Sequence, residues 1–254
     1  MIVSDAPHFI YVRVPKTGST SLSSALERYA RPKPLGKLGA VLRRLPLPDR
    51  LYGRVMFYRA QAHLSLWGAT HFLGSDYVAQ AFKFSMVRHP VDRLISLHKH
   101  MLRTPEDPVI AQSFAPIFED PRFEFFVELL QDKVATPQIN MLIDQDGSFL
   151  ADGVIRLEQM AAELPPILAH LGLTLDIPYL NRADYQPPQI APATRAIIER
   201  IFEADYTHLG YGATGVAGPP NLSASALSRR HGADLARIGA RYDPFRGYPL
   251  RDAA

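Results

Sequence analysis

This sequence predicts an α/β fold, a central parallel sheet flanked by helices, and three observations carry that prediction. The run His8 to Val14, HFIYVRV, is β-branched and aromatic and is closed by Pro15, as a strand entering a turn would be. The run Phe82 to Arg88, FKFSMVR, repeats the pattern and breaks at His89-Pro90. Each run precedes a segment with apolar residues at helical spacing, and a third pair extends the alternation: a short buried strand at Gly153-Val-Ile-Arg-Leu, then an amphipathic helix over 158–171. Alternating strands and helices sandwich the sheet between helices, and such sheets bind ligands beyond the carboxyl ends of their strands.

The helix after the first strand begins in the cluster Ser19, Thr20, Ser21, any of which suits an N-cap. It carries Leu22, Ala25, Leu26 and Tyr29 along one face, and Pro32 and Pro34 end it. A Pro- and Arg-rich connection runs to about residue 60. After the second strand, a helix opening at His89-Pro90 turns Val91, Leu94, Ile95, His98 and Met101 to the core, with Asp92 in the first turn, where negative charge suits the dipole. PRFEFFVELLQD (121–132) and PATRAIIERIFEADY (192–206) read as further helices, the latter stopped by Gly210 and Gly212. Residues 1–212 therefore form one domain. Residues 213–254, opening on the linker-like GVAGPPN, read as a loosely attached tail with one weak helix over 223–240.

Composition narrows the function classes. The 254 residues are 47% hydrophobic and 21% charged, the balance of a soluble globular chain, and the mean hydropathy of -0.07 agrees. No apolar run approaches the 18 or so residues needed to cross a bilayer, and MIVSDAPHFIYV lacks the pattern of a secretory signal, so the expectation is a cytoplasmic protein without a transmembrane segment. With no cysteine, disulfides, thiolate metal sites and Cys nucleophiles are excluded, and catalysis falls to oxygen and nitrogen groups. A net charge of +3 gives no argument for nucleic-acid binding. Distribution says more: nine Lys or Arg between Arg28 and Arg59 stand against the single acid Asp49, so the basic insertion over 31–60 reads either as a solvated loop or as a face for an acidic polysaccharide or an anionic lipid headgroup.

The two strand-to-helix turns hold the chemistry. Pro15-Lys16-Thr17-Gly18-Ser19-Thr20-Ser21 turns through glycine into a helix, bringing backbone N–H groups, hydroxyls and an ammonium to one point, a site for phosphate or sulfate. A Walker loop, GxxxxGK[ST], places its Lys directly after the last Gly; here Lys16 precedes Gly18 by two residues, and that reading fails by spacing.

PKTGSTSL resembles the 5′-phosphosulfate loop of sulfotransferases that use 3′-phosphoadenosine-5′-phosphosulfate (PAPS). FSMVRHPVDRLIS (84–96) resembles the same family's 3′-phosphate segment, in which an Arg at the strand end and a Ser two helical turns later grip the 3′-phosphate; those positions are Arg88 and Ser96. AHLSLWGATHFLG, containing His63, is similar to the carbohydrate sulfotransferase branch, as are GVIRLEQM (153–160), YLNR (179–182) and EADYTHLGYG (203–212). The resemblance spans roughly residues 8–212. It departs in two places: GST replaces GGT, adding a side chain at Ser19, and His89 stands where Asn or Asp is more usual.

The resemblance implies a P-loop NTPase-like three-layer fold and transfer of a sulfuryl group from PAPS to an acceptor hydroxyl, with adenosine 3′,5′-bisphosphate (PAP) as product and no required metal. The acceptor would be a glycan or glycolipid. Lys16 would neutralise charge on the departing phosphate; Thr17, Gly18, Ser19, Thr20 and Ser21 would cradle the 5′ end; Arg88 and Ser96 would select the 3′-phosphate. His63 is the candidate base and His71 the second. His98 and His100, inside a helix, read as structural; Arg156 and Glu158 could touch the nucleotide, but an internal ion pair or helix start explains them equally well and they are left out of the site; and Trp67, which could stack on a sugar ring, reads rather as core. Two rivals stand beside this reading. A P-loop-type small-molecule kinase would need Mg²⁺ and an acidic ligand after a strand, where Arg88 stands. A non-catalytic sulfotransferase-like module would bind an anion without turning it over.

Overall fold

The computed structural model describes residues 1–31, 64–131, 137–144, 146–177, 189–222, 242–243 and 248–249. Strands β1 (Ile2–Asp5), β2 (His8–Arg13), β3 (Phe82–Val87) and β4 (Gly153–Arg156) form one sheet in the order β1-β2-β3-β4. The pairs β2·β3 and β3·β4 are parallel, as the alternation predicts, with Arg13 opposite Met86 and Val87 opposite Arg156. The edge strand β1 departs from a purely parallel sheet. It pairs antiparallel with β2, Ile2 opposite Tyr11 and Asp5 opposite His8, because Ala6 and Pro7 close a tight hairpin.

Side chains alternate across β2, and the two faces collect separate cores. Ile10 and Val12 pack with Leu66 and Ala69 of α2 (Leu66–Leu73), Val78 of α3 (Ser75–Gln80) and Leu209. Phe9 and Tyr11 pack with Phe84, with Leu22 and Leu26 of α1 (Ser19–Leu26), and with residues later in the chain. The Tyr11 and Phe9 rings sit 5.1 and 5.8 Å from that of Phe84. All three are fully buried, each removal from water contributing about 2–3 kcal/mol.

Helix α4 (Pro90–Arg103) buries all five residues that its spacing assigns to the core. They meet α5 (Pro108–Ser113) and α6 (Phe123–Gln131) in a third cluster. On the Phe9 face of the sheet, α7 (Met160–Leu171) supplies Leu164 and Leu171. The expected helix over 192–206 is two helices, α8 (Pro192–Ile201), which joins the third cluster through Ile198, and α9 (Glu203–Leu209), which returns to the sheet through Leu209. Phe202 breaks them with a non-helical backbone, its side chain almost wholly buried.

Residues 213–222 continue the ordered chain: the N–H groups of Ala217 and Gly218 donate to the Gly210 carbonyl at 2.9 and 3.3 Å, and that of Asn221 donates to the His208 carbonyl at 2.9 Å. A short ladder pairs β5 (Tyr242–Asp243) with β6 (Tyr248–Pro249). Nearly all of the basic insertion, and the weak helix expected over 223–240, lie outside the described residues. No helix among the described residues is long and apolar enough to cross a membrane.

Candidate functional site

β2 and β3 are neighbours and run the same way, so the turns after them leave the same edge of the sheet. Lys16 follows Arg13 by three residues and Arg88 follows Met86 by two, and Arg13 and Met86 are register partners. Their charges meet: burial, then the positive charges of Arg88 and Arg103, hold the Lys16 ammonium below the ordinary lysine value. Arg93 strengthens the junction, its Nε donating to the Pro15 carbonyl at 3.1 Å.

The first turn is built from unusual backbone. Lys16 has a φ of 67°, the one non-glycine residue with positive φ among the described residues, and Gly18 follows with a φ of 72°. A left-handed lysine costs about 1–2 kcal/mol, so the fold holds this residue where its intrinsic preference would not put it. Glycine at 18 answers both conformation and space, since a Cβ there would stand 3.0 Å from Leu157 Cδ1. Gly18, and none of the three hydroxyl residues after it, is the N-cap of α1, and no side chain caps that terminus. The expectation of a Ser or Thr cap is thereby corrected. Ser19 lies inside the helix, and its hydroxyl reaches back to donate to the Val14 carbonyl at 3.2 Å. Thr17 donates to the same carbonyl at 2.9 Å. Both protons are used within the turn, so these hydroxyls set its shape; Thr20 is exposed and Ser21 half-buried. Backbone N–H groups at an uncapped helix start, beside an ammonium, make a setting for an anion.

The second turn brings Arg88, half-buried, to the start of α4. Ser96, His100 and Arg103 follow at four- and three-residue steps along α4, away from the face that packs into the core. The two histidines of that helix differ. His98 is buried and stacked on Phe126 at 5.0 Å, as a structural residue would be. His100 is exposed, and burial followed by the Lys16 charge lowers its pKa, so it belongs to the neighbourhood of the turns. Arg103 and His100 were open to the sequence through that helical spacing from Ser96.

His63 lies outside the described residues. His71 is exposed on α2, its Nδ1 3.1 Å from the Trp67 carbonyl and its ring edge-on to Trp67 at 4.8 Å. Trp67 is half-buried.

His89 is almost fully buried, and its Nε2 donates to the Gly212 carbonyl at 2.9 Å, which fixes the proton on that nitrogen. Its backbone N–H donates to Glu158 Oε1 at 2.8 Å, and Tyr211 donates to Glu158 Oε2 at 3.2 Å. Arg156 pairs with Glu163, its Nε donating at 2.8 Å and its backbone N–H at 2.6 Å, and also reaches the Gly210 and Gly218 carbonyls. Arg156 and Glu158 thus tie the segment around Gly210 to the end of the sheet, in separate interactions and not as one ion pair. No cluster of three or more His, Asp or Glu suited to a metal ion is gathered among the described residues.

A family model described as the Sulfotransferase family matches residues 1–149, a stretch that contains both turns and the whole of α4. No curated protein and no solved structure matches the chain.

Proposed function

The chain belongs to the sulfotransferase family, and from that premise we propose that it moves a sulfuryl group from PAPS to a hydroxyl of a carbohydrate, glycan or glycolipid acceptor in one in-line step. The observation that supports this reading most is the meeting of Lys16 and Arg88: adjacent parallel strands deliver them to one edge, and their charges interact. An ammonium at Lys16 that feels the positive charges of both Arg88 and Arg103 fits a donor with phosphate at one end and phosphosulfate at the other. The uncapped start of α1 fits the same chemistry.

In this reading PAPS supplies an activated sulfuryl group on a good leaving phosphate. The acceptor oxygen bonds to sulfur as the bond from sulfur to the phosphate oxygen breaks, and PAP departs. Lys16 donates to the oxygen that gains charge, the task for which a kinase uses magnesium. Backbone N–H groups from Thr17 to Ser21 hold the 5′ end, while Arg88 and Ser96 hold the 3′-phosphate. His63 is the proposed base for the acceptor proton, with His71 second.

Incubation with sulfur-labelled PAPS and a panel of glycans, glycolipids and phenols tests the reading. Label in a glycan or glycolipid is the expected result. Label in none of the acceptors, with PAP still bound, would favour a binding module instead.

A further inference from the structure

We propose that Gln138 is a positioning residue for recognition of the donor's 3′-phosphate, holding Arg88 through its backbone while Asp205 holds Gln138; this rests on the PAPS reading above. Val87 opposite Arg156 is the last pair of the ladder between β3 and β4, and Arg88 follows it. The Gln138 amide continues the pairing: the Arg88 N–H donates to Oε1 at 2.9 Å, and Nε2 donates to the Arg88 carbonyl at 2.7 Å. One side chain thus pairs with both backbone groups of the residue proposed to read the 3′-phosphate.

Asp205 on α9 sets the orientation of that amide. Its carboxylate accepts from the backbone N–H groups of Gln138 and Ile139, each at 3.0 Å, and from Gln138 Nε2 at 3.2 Å. With Nε2 facing the carboxylate and the Arg88 carbonyl, Oε1 must face the Arg88 N–H. The charge of Arg93 reaches the same carboxylate, and Arg93 also holds the Pro15 carbonyl, so the clasp touches both turns. Gln138 and Asp205 are completely buried and Arg93 nearly so. Losing one member of so buried a network leaves its partners' polar groups unsatisfied at high cost. A guanidinium fork reads phosphate by angle as well as distance, so tilting the Arg88 backbone weakens that contact and leaves the 5′ end of the nucleotide untouched.

The test is calorimetry with PAP and with adenosine 5′-monophosphate (AMP), on the full chain and on Gln138→Met, which keeps length and loses the amide. The expected result is a fall of about fivefold or more in the PAP-to-AMP affinity ratio, one neutral hydrogen bond's worth, with AMP affinity changed less than about twofold. A role in stability alone would move both ligands together or neither, and an unchanged ratio would overturn the inference. If Gln138→Met does not fold, Gln138→Leu, which also loses the amide, carries the same readout. Should neither fold, hydrogen exchange at the Arg88 amide of the unaltered chain decides: slow exchange without ligand supports the clasp, and exchange as fast as an open loop overturns it. An unaltered chain with no preference for PAP over AMP would remove the donor reading itself, whereas a preference that survives Gln138→Met would remove only the role of Gln138.

Discussion

The Nε of Arg93 donates to the carbonyl of Pro15 at 3.1 Å, tying the helix after one parallel strand to the loop after its neighbour. Lys16 is the next residue, so the position of its ammonium depends on a contact made by α4. The two turns form one structural unit, and the predictions follow from treating them so.

Lys16→Gly separates stability from activity. The substitution removes a left-handed residue that bears a Cβ, worth about 1–2 kcal/mol, against a similar gain in unfolded-state entropy, so thermal stability should hold or rise. Turnover with labelled PAPS should fall by about a hundredfold or more, the usual loss when a group that stabilises transition-state charge is removed. Lys16→Ala should lose the same activity.

Arg88→Ala should weaken PAP by about tenfold or more while leaving AMP nearly unchanged, and Arg88→Lys should recover only part of the loss, since an ammonium lacks the bidentate fork. Ser96→Ala should weaken PAP by about fivefold, the worth of one hydrogen bond. Competition calorimetry measures all three.

Lys16 also predicts a proton linkage. Burial, Arg88 and Arg103 depress its pKa in the free chain, and a bound anion raises it again. At alkaline pH below the ordinary lysine value, PAP binding should therefore take up protons, and affinity should fall as pH rises through the free-state pKa. Titrations in buffers of different ionisation enthalpy read the uptake, and Arg103→Ala should move it to higher pH. Without ligand the unfolded chain holds more protons in that window, so the Lys16 contribution to stability rises with pH through it.

Glu163→Gln gives the opposite dissociation. Glu163 neutralises Arg156, whose side chain is only 7% exposed. Leaving that charge unpaired should cost about 3 kcal/mol in denaturant unfolding, while the PAP-to-AMP ratio stays as in the unaltered chain.

Much of the frame was legible in the sequence. β2, β3 and β4 announced themselves as β-branched or aromatic runs ended by Pro15, His89-Pro90 and a helical period, and α4 turned the expected five residues inward. β1 was not legible, because its four residues fall short of a periodic signal and only pairing with β2 makes Ile2 and Val3 a strand. The α1 cap was misassigned since three hydroxyl residues in a row outweigh one glycine by propensity, whereas left-handed backbone at Gly18 decides the matter. The clasp was invisible: Gln138 lies 50 residues from Arg88, and Asp205 another 67 beyond, and no local pattern marks a long-range pair. His98 and His100 share one helix, and rotation about its axis alone sends one to the core and the other toward Lys16.

The central claim is that one nucleotide spans the two turns, its 5′ end at Lys16 and its 3′-phosphate at Arg88. Calorimetry of the full chain against PAP, AMP, adenosine 3′-monophosphate and ATP with Mg²⁺ tests it most directly. The account predicts that PAP binds about tenfold or more tightly than either monophosphate, as two joined charged contacts require. PAP no tighter than the monophosphates, with ATP and Mg²⁺ preferred, would contradict it.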